Sequence, residues 1–190
     1  MTDDQLVRRI DASLEKPDAE LEADLPDLLD EMAGRTDDLV RVYPETFGRV
    51  TDRMETMDIA SFVAANPDTA DQFQELLWAG MNVLVETSPE VREEIDDDIT
   101  VTFEAEDCPM VGHLEVDADE RTIRGGAGRL DDAMLEITGP AETLVGLIVG
   151  SVDPIQGYIQ QRYEMDGPVH KGTRLAPIMT SLSEQVPAES

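Results

Sequence analysis

The sequence predicts an α+β protein, a mostly antiparallel five-stranded sheet with helices on one face, preceded by an α-helical N-terminal region. Three observations carry this. Apolar residues recur at helical spacing through residues 1–95, most clearly at Phe73, Leu76, Leu77, Gly80, Met81, Leu84 and Val85. At Ile99 the period changes to two, with Ile99, Val101, Phe103 and Ala105 on one side and Thr100, Thr102, Glu104 and Glu106 on the other. Beyond Ile137 apolar helical segments return, and they must cover the apolar face of the sheet.

The N-terminal helices are punctuated by proline and glycine. Leu6, Val7 and Ile10 form a first apolar edge. Leu25 precedes Pro26, Leu28, Leu29 and Met32 follow it, and Gly34 ends that segment. Leu39, Val40 and Val42 lead to Pro44, which restarts the chain toward Phe47, Val50 and Met54. Ile59, Phe62 and Val63 end at Asn66-Pro67, and the strongest helix runs from Asp68 to Thr87. On it, Trp78 is expected to pack partly buried against a neighbouring helix. Ser88-Pro89-Glu90 reads as a fresh N-terminus, with Ser88 as cap and Pro89 in the first turn.

Among the strands, Leu114 and Val116 continue the alternation begun at Ile99. Asp117-Ala118-Asp119 turns the chain toward a strand at Arg121–Arg124, and Gly125-Gly126-Ala127-Gly128 reads as a flexible loop. A phosphate-binding reading of that loop fails for want of a Gly-Lys-Ser/Thr ending. Ala133–Ile137 supplies a fourth strand and Arg162–Met165 a fifth. We divide the chain into a helical region, residues 1–95, and a sheet-bearing domain, residues 96–186.

Charge is the extreme feature of the composition. There are 43 acidic against 14 basic residues, a formal net charge of -29, and only Lys16 and Lys171 are lysines. The acids are dispersed, 26 with 8 basic residues in positions 1–97 and 17 with 6 in positions 98–190, so they are no acidic tail. Dispersed acidity over periodic apolar patterns predicts a fold adapted to concentrated salt, from a halophilic, haloarchaeal source. At about 1 M salt the screening length is ~3 Å, which removes most self-repulsion. Nucleic acid and anionic membrane surfaces are excluded as partners, because this surface has no counterions to release from them. Cys108, the lone cysteine, allows neither a disulfide framework nor a cysteine zinc site. MTDDQLVRRI lacks an apolar signal core, and the apolar runs are too short to span about 30 Å of hydrocarbon. The expected location is cytoplasmic, without stable membrane insertion.

The stretch Ile137–Met179 holds the functional signal. A strand end meets Gly139-Pro140; an apolar helix, Thr143 to Val149, runs into Gly150; Asp153-Pro154 starts a short helix; and a strand closes on Met165-Asp166-Gly167 before a last helix around Leu175–Met179. This order, with Gly-x-x-Asp-Pro before a helix, resembles the sterol carrier protein 2 (SCP2) family over roughly residues 97–182. Gln161 stands where that family often has glycine, and Pro168 where an acidic residue is common. The resemblance implies non-catalytic binding, and transfer, of a fatty acyl, isoprenoid or sterol-like ligand in an apolar tunnel. For a haloarchaeal source an isoprenoid is favoured over a sterol. The residues expected to line the tunnel are Val101, Phe103, Leu135, Ile137 and Met165 from strands, with Leu144, Ile148, Ile155, Tyr158, Ile159, Ile178 and Met179 from helices.

Other candidate sites are weaker. His113 and His170 lie far apart in sequence with no ligand spacing. Glu93, Glu94 and Asp96-Asp97-Asp98 lack the glycine-centred spacing of a calcium loop and read as a solvated face. No cofactor is expected. Ser151, Thr138 and Cys108 have no histidine in a recognised nucleophile pattern, so the chain is expected not to be an enzyme. The alternative is an accessory or interaction subunit of the same fold with no ligand cavity, its N-terminal helices binding a protein partner or a second copy.

Overall fold

The computed structural model describes residues 2–187. Its N-terminal half is a run of helices: α1 (Asp3–Leu14), α2 (Asp18–Met32), α3 (Thr36–Val42), α4 (Pro44–Thr56), α5 (Ile59–Ala65), α6 (Pro67–Thr87) and α7 (Pro89–Glu94). Local chemistry sets their starts. At α1 the Thr2 hydroxyl accepts from Gln5 N while the Gln5 side chain accepts from Thr2 N, a reciprocal cap. Pro44, Pro67 and Pro89 occupy first turns, where a missing N–H costs nothing. One boundary differs from expectation. Helix α2 starts at Asp18 and carries Pro26 inside it, because Leu21, Leu28 and Leu29 are buried on one stripe and packing holds the helix through the proline.

The sheet has the order β3-β2-β1-β4-β5. It comprises β1 (Ile99–Ala105), β2 (Val111–Asp117), β3 (Thr122–Ala127), β4 (Leu135–Gly139) and β5 (Glu164–Asp166). All neighbours are antiparallel except β1 and β4, which run parallel. Register aligns one apolar row: Val101 lies beside Leu114 and Leu135, and Phe103 beside Gly112 and Ile137. On the opposite face the Thr100 and Thr102 hydroxyls accept from Met134 N (2.9 Å) and Leu130 N (3.3 Å), and Arg129 pairs with Glu104 and Glu136.

The glycine run is strand, not loop. Gly125, Gly126 and Ala127 belong to β3, and only Gly128 lies beyond it. Close approach of α6 explains the glycines: a Cβ on Gly125 would sit 2.3 Å from Trp78 Cγ, and one on Gly112 2.2 Å from Gln74 Oε1. Trp78 therefore packs on the sheet rather than on a neighbouring helix, 1% exposed and stacked on Phe103 at 6.3 Å between ring centroids. Helix α6 also seals the free edge of β3. Its Asn82 and Glu75 side chains accept from Ile123 N (3.2 Å) and Ala127 N (3.1 Å), occupying donors that an open edge would offer to another chain.

The apolar face is thus covered from both halves of the chain, not by the C-terminal helices alone. Helix α6 lies over β3 and β2; α8 (Ala141–Val149) and α10 (Val169–Gln185) lie over β1, β4 and β5, with the short α9 (Pro154–Ile159) between them in sequence. The resulting core is continuous, drawing on Val40 and Phe47, then Trp78 and Met81, then Leu144 and Leu182. A second cluster joins Leu6, Val7, Ile10, Leu28 and Leu39.

The acidic run before β1 is not simply a solvated face. Lys171 Nζ on α10 donates to Asp97 Oδ2 at 2.7 Å and to Asp98 O at 2.9 Å, and Arg174 pairs with Asp96 at 2.8 Å. The hydrogen bond from Lys171 holds the Asp97 carboxyl below its usual range. The run anchors the start of α10 at the end of the helical half.

Candidate functional site

Apolar helices laid over a pleated apolar face leave space wherever large and small side chains fail to interdigitate. One such space, about 40 Å³, lies between the sheet and α8, α9 and α10. Phe103 and Ile137 form its floor, Leu147 and Ile148 descend from α8, and Leu175 and Met179 close it from α10. A second and larger space, about 80 Å³, lies on the other side of α8, among α2, α4, α5 and α6. A third, about 40 Å³, lies among α2, α3, α4 and α6. Ile148 lines both the first and the second. Val50, Phe73 and Leu77 line both the second and the third.

The expected tunnel residues separate into three groups. Phe103, Ile137, Ile148, Met165 and Met179 converge on the 40 Å³ space beneath α8. Val101, Leu135, Leu144 and Ile178 sit in solid packing, each 1% exposed or less. Ile155, Tyr158 and Ile159 on α9 are 57%, 45% and 66% exposed, and Tyr158 and Ile159 border a surface groove with Glu136, Glu164 and Asp166. Sequence reading missed Leu147, Pro154, Tyr163, Leu175 and Ala176 on the cavity wall. Tyr163 falls in the expected strand Arg162–Met165, but it lies just ahead of β5, which begins at Glu164. On α10 the helix with Ile178 and Met179 is legible, but whether Leu175 and Ala176 also reach the space depends on the facing sheet.

Local structure at α9 follows from its sequence. The Asp153 carboxylate accepts from Ile155 N and Gln156 N, both at 2.9 Å, and Pro154 takes the first turn. The Tyr163 hydroxyl donates to Pro154 O at 2.6 Å, and burial raises its pKa. Gly150 ends α8 in the left-handed region at φ +91°, where a Cβ would also meet Ser183. Gln161 adopts φ +57°, in the left-handed region that favours glycine.

Groups able to do chemistry are scattered. His113 Nδ1 lies 3.1 Å from Gly128 O on the far face of the sheet, and His170 is exposed on α10. Cys108 is half-buried, and burial raises its thiol pKa, which lowers its nucleophilicity at neutral pH. Among the described residues no cluster of His, Cys, Asp and Glu could hold a metal ion, and no helix is long and apolar enough to cross a membrane.

No known protein family profile matches the chain, and neither does any curated protein sequence. Solved structures do overlap it. Sterol carrier protein 2 from Yarrowia lipolytica, in its apo form, aligns with 58% of this chain and 92% of its own at 12% identity and TM-score 0.43. Sterol carrier protein domain 2 of Helicoverpa armigera covers 62% and 93% at 16% identity and TM-score 0.40. The inverting sec-alkylsulfatase Pisa1 from Pseudomonas sp. covers 98% of this chain with 30% of its own, at 9% identity and TM-score 0.44. At these scores the overlap carries no conclusion about activity.

Proposed function

We propose that this protein binds a long apolar ligand non-covalently, between the sheet and the helices of residues 96–186, and carries it without transforming it. The observation behind this reading is the wall of the space beneath α8. Phe103, Ile137, Ile148, Met165 and Met179 meet there with no ionised side chain among the lining residues. Such a wall rewards apolar surface at about 25 cal/mol per Å² removed from water and offers a polar molecule nothing. The ligand class is a fatty acyl or isoprenoid chain, or a sterol-like ring system. At about 40 Å³ the space must widen on binding. Met165 and Met179 are the side chains best suited to that, since unbranched thioethers re-pack at little cost.

Titration of a fluorescent fatty acid and a fluorescent isoprenoid in multi-molar KCl tests the reading. The expected result is saturable one-to-one binding at micromolar level with a negative heat-capacity change. Native mass spectrometry of the purified protein should carry a co-purifying lipid mass.

A second reading, an accessory subunit that docks on another protein, draws on α9. Ile155, Tyr158 and Ile159 expose apolar surface beside the acidic groove of Glu136, Glu164 and Asp166. Failure of every chain tested, with the fold intact, would favour it.

A further inference from the structure

The space of about 80 Å³ among the helices and the space of about 40 Å³ beneath α8 share one aliphatic wall residue, Ile148. Ile148 projects from α8 into the wall of both, with Phe103 and Ile137 on one side and Val145, Phe62 and Trp78 on the other. The space on the helical side is the larger, about 80 Å³ against about 40 Å³. Its wall includes Met54, Met57 and Met110, side chains that re-pack readily. Arg53 is the sole ionised side chain on that wall among the described residues. In a chain of 43 acidic residues, a cation at the rim of an apolar space is a marked choice. Its guanidinium is held in place from several sides: Nε donates to Leu14 O (3.2 Å), Nη1 to Thr56 Oγ1 (2.9 Å) and Nη2 to Lys16 O (3.3 Å), and it pairs with the exposed Asp18 carboxylate. The pinned cation is therefore already satisfied by an acid that solvent can reach, and another anion could take that acid's position.

We infer that the ligand is a single apolar chain ending in an anionic head, that its chain passes Ile148 to fill both spaces, and that its head replaces Asp18 at Arg53. The inference rests on the lipid-binding reading above and extends it. The N-terminal helices then contribute the greater part of the binding site, and α8 is its midline rather than its lid. The chemistry at Arg53 is that of a carboxylate or a phosphate monoester, either of which accepts two N–H bonds from a guanidinium.

The test uses the full chain in multi-molar KCl and measures Kd for palmitate, farnesyl phosphate and hexadecanol. Val63→Phe and Ala70→Leu each fill the larger space, and Ala176→Leu fills the smaller one; far-UV circular dichroism and Trp78 emission confirm folding, and two filling variants guard against one that fails to fold. All three should weaken palmitate by about tenfold or more, the loss of roughly two buried methylenes. Arg53→Met should abolish the preference for palmitate over hexadecanol. Tighter binding of palmitate than of farnesyl phosphate identifies a carboxylate head, and the reverse identifies a phosphate. If Ala176→Leu weakens palmitate while both Val63→Phe and Ala70→Leu leave it unchanged, the inference is wrong and the sheet-side site stands. A head-group preference that survives Arg53→Met removes Arg53 from the site. No binding of any of the three by the wild-type chain overturns this inference and the lipid-binding reading together.

Discussion

The Trp78 indole lies directly on the backbone of Gly125, so close that a Cβ there would come within 2.3 Å of Trp78 Cγ. This contact brings the longest helix onto the sheet, and it turns a glycine-rich stretch into a strand. Gly125→Ala should destabilise the protein by about 1–3 kcal/mol, the usual cost of overpacking a close contact. Urea unfolding followed by Trp78 emission measures this. Gly128→Ala is the control: its φ of +91° adds backbone strain, but nothing lies within 4 Å, so it should cost only about 1 kcal/mol and leave Trp78 emission unchanged.

Gln161 carries a left-handed backbone, φ +57°, on the exposed turn between α9 and β5. Gln161→Gly should stabilise the fold by about 0.5–1 kcal/mol, since relief of Cβ strain exceeds the entropy glycine adds to the unfolded chain. A rise in the urea midpoint with an unchanged slope is the expected signature.

Acid should weaken the junction between the helical half and α10. The hydrogen bond from Lys171 lowers the Asp97 pKa in the folded protein below its unfolded value. Its contribution is therefore fully present above the unfolded carboxylate range, about pH 4, and disappears as pH falls through the folded pKa. Thermal melts from pH 6 to pH 2 should lose stability more steeply for the wild type than for Lys171→Met. Parallel curves would remove this pair from the acid transition.

Salt should raise stability strongly. A net charge of -29 repels itself in dilute buffer, and the dispersed acids are not neutralised by 14 basic residues. Screening at about 1 M salt shortens the range of that repulsion to ~3 Å. Melting temperature should climb between dilute and multi-molar KCl. A salt-independent melt would contradict adaptation to concentrated salt.

Sequence alone determined the elements whose cause is local. The change of period at Ile99 marked β1 from its first residue to its last, and first-turn prolines at 44, 67, 89 and 154 marked helix starts. A binary pattern records burial on one face, and a proline records its own fixed φ, so neither needs a partner to be read. The α+β class and the mostly antiparallel sheet follow from those signals. Tertiary structure decided whatever depends on a second surface. Gly125 reads as loop until Trp78 lies over it. Pro26 reads as a helix start until Leu21 is buried ahead of it. Asp97 reads as solvated until Lys171 arrives from a helix distant in sequence. The same holds for the cavity walls: Phe103 and Ile148 could be named as inward-facing from their periods. Only the packing of α6 and α8 on the sheet set which apolar residues close up and which leave space, because a void is a property of facing side chains and not of any one segment.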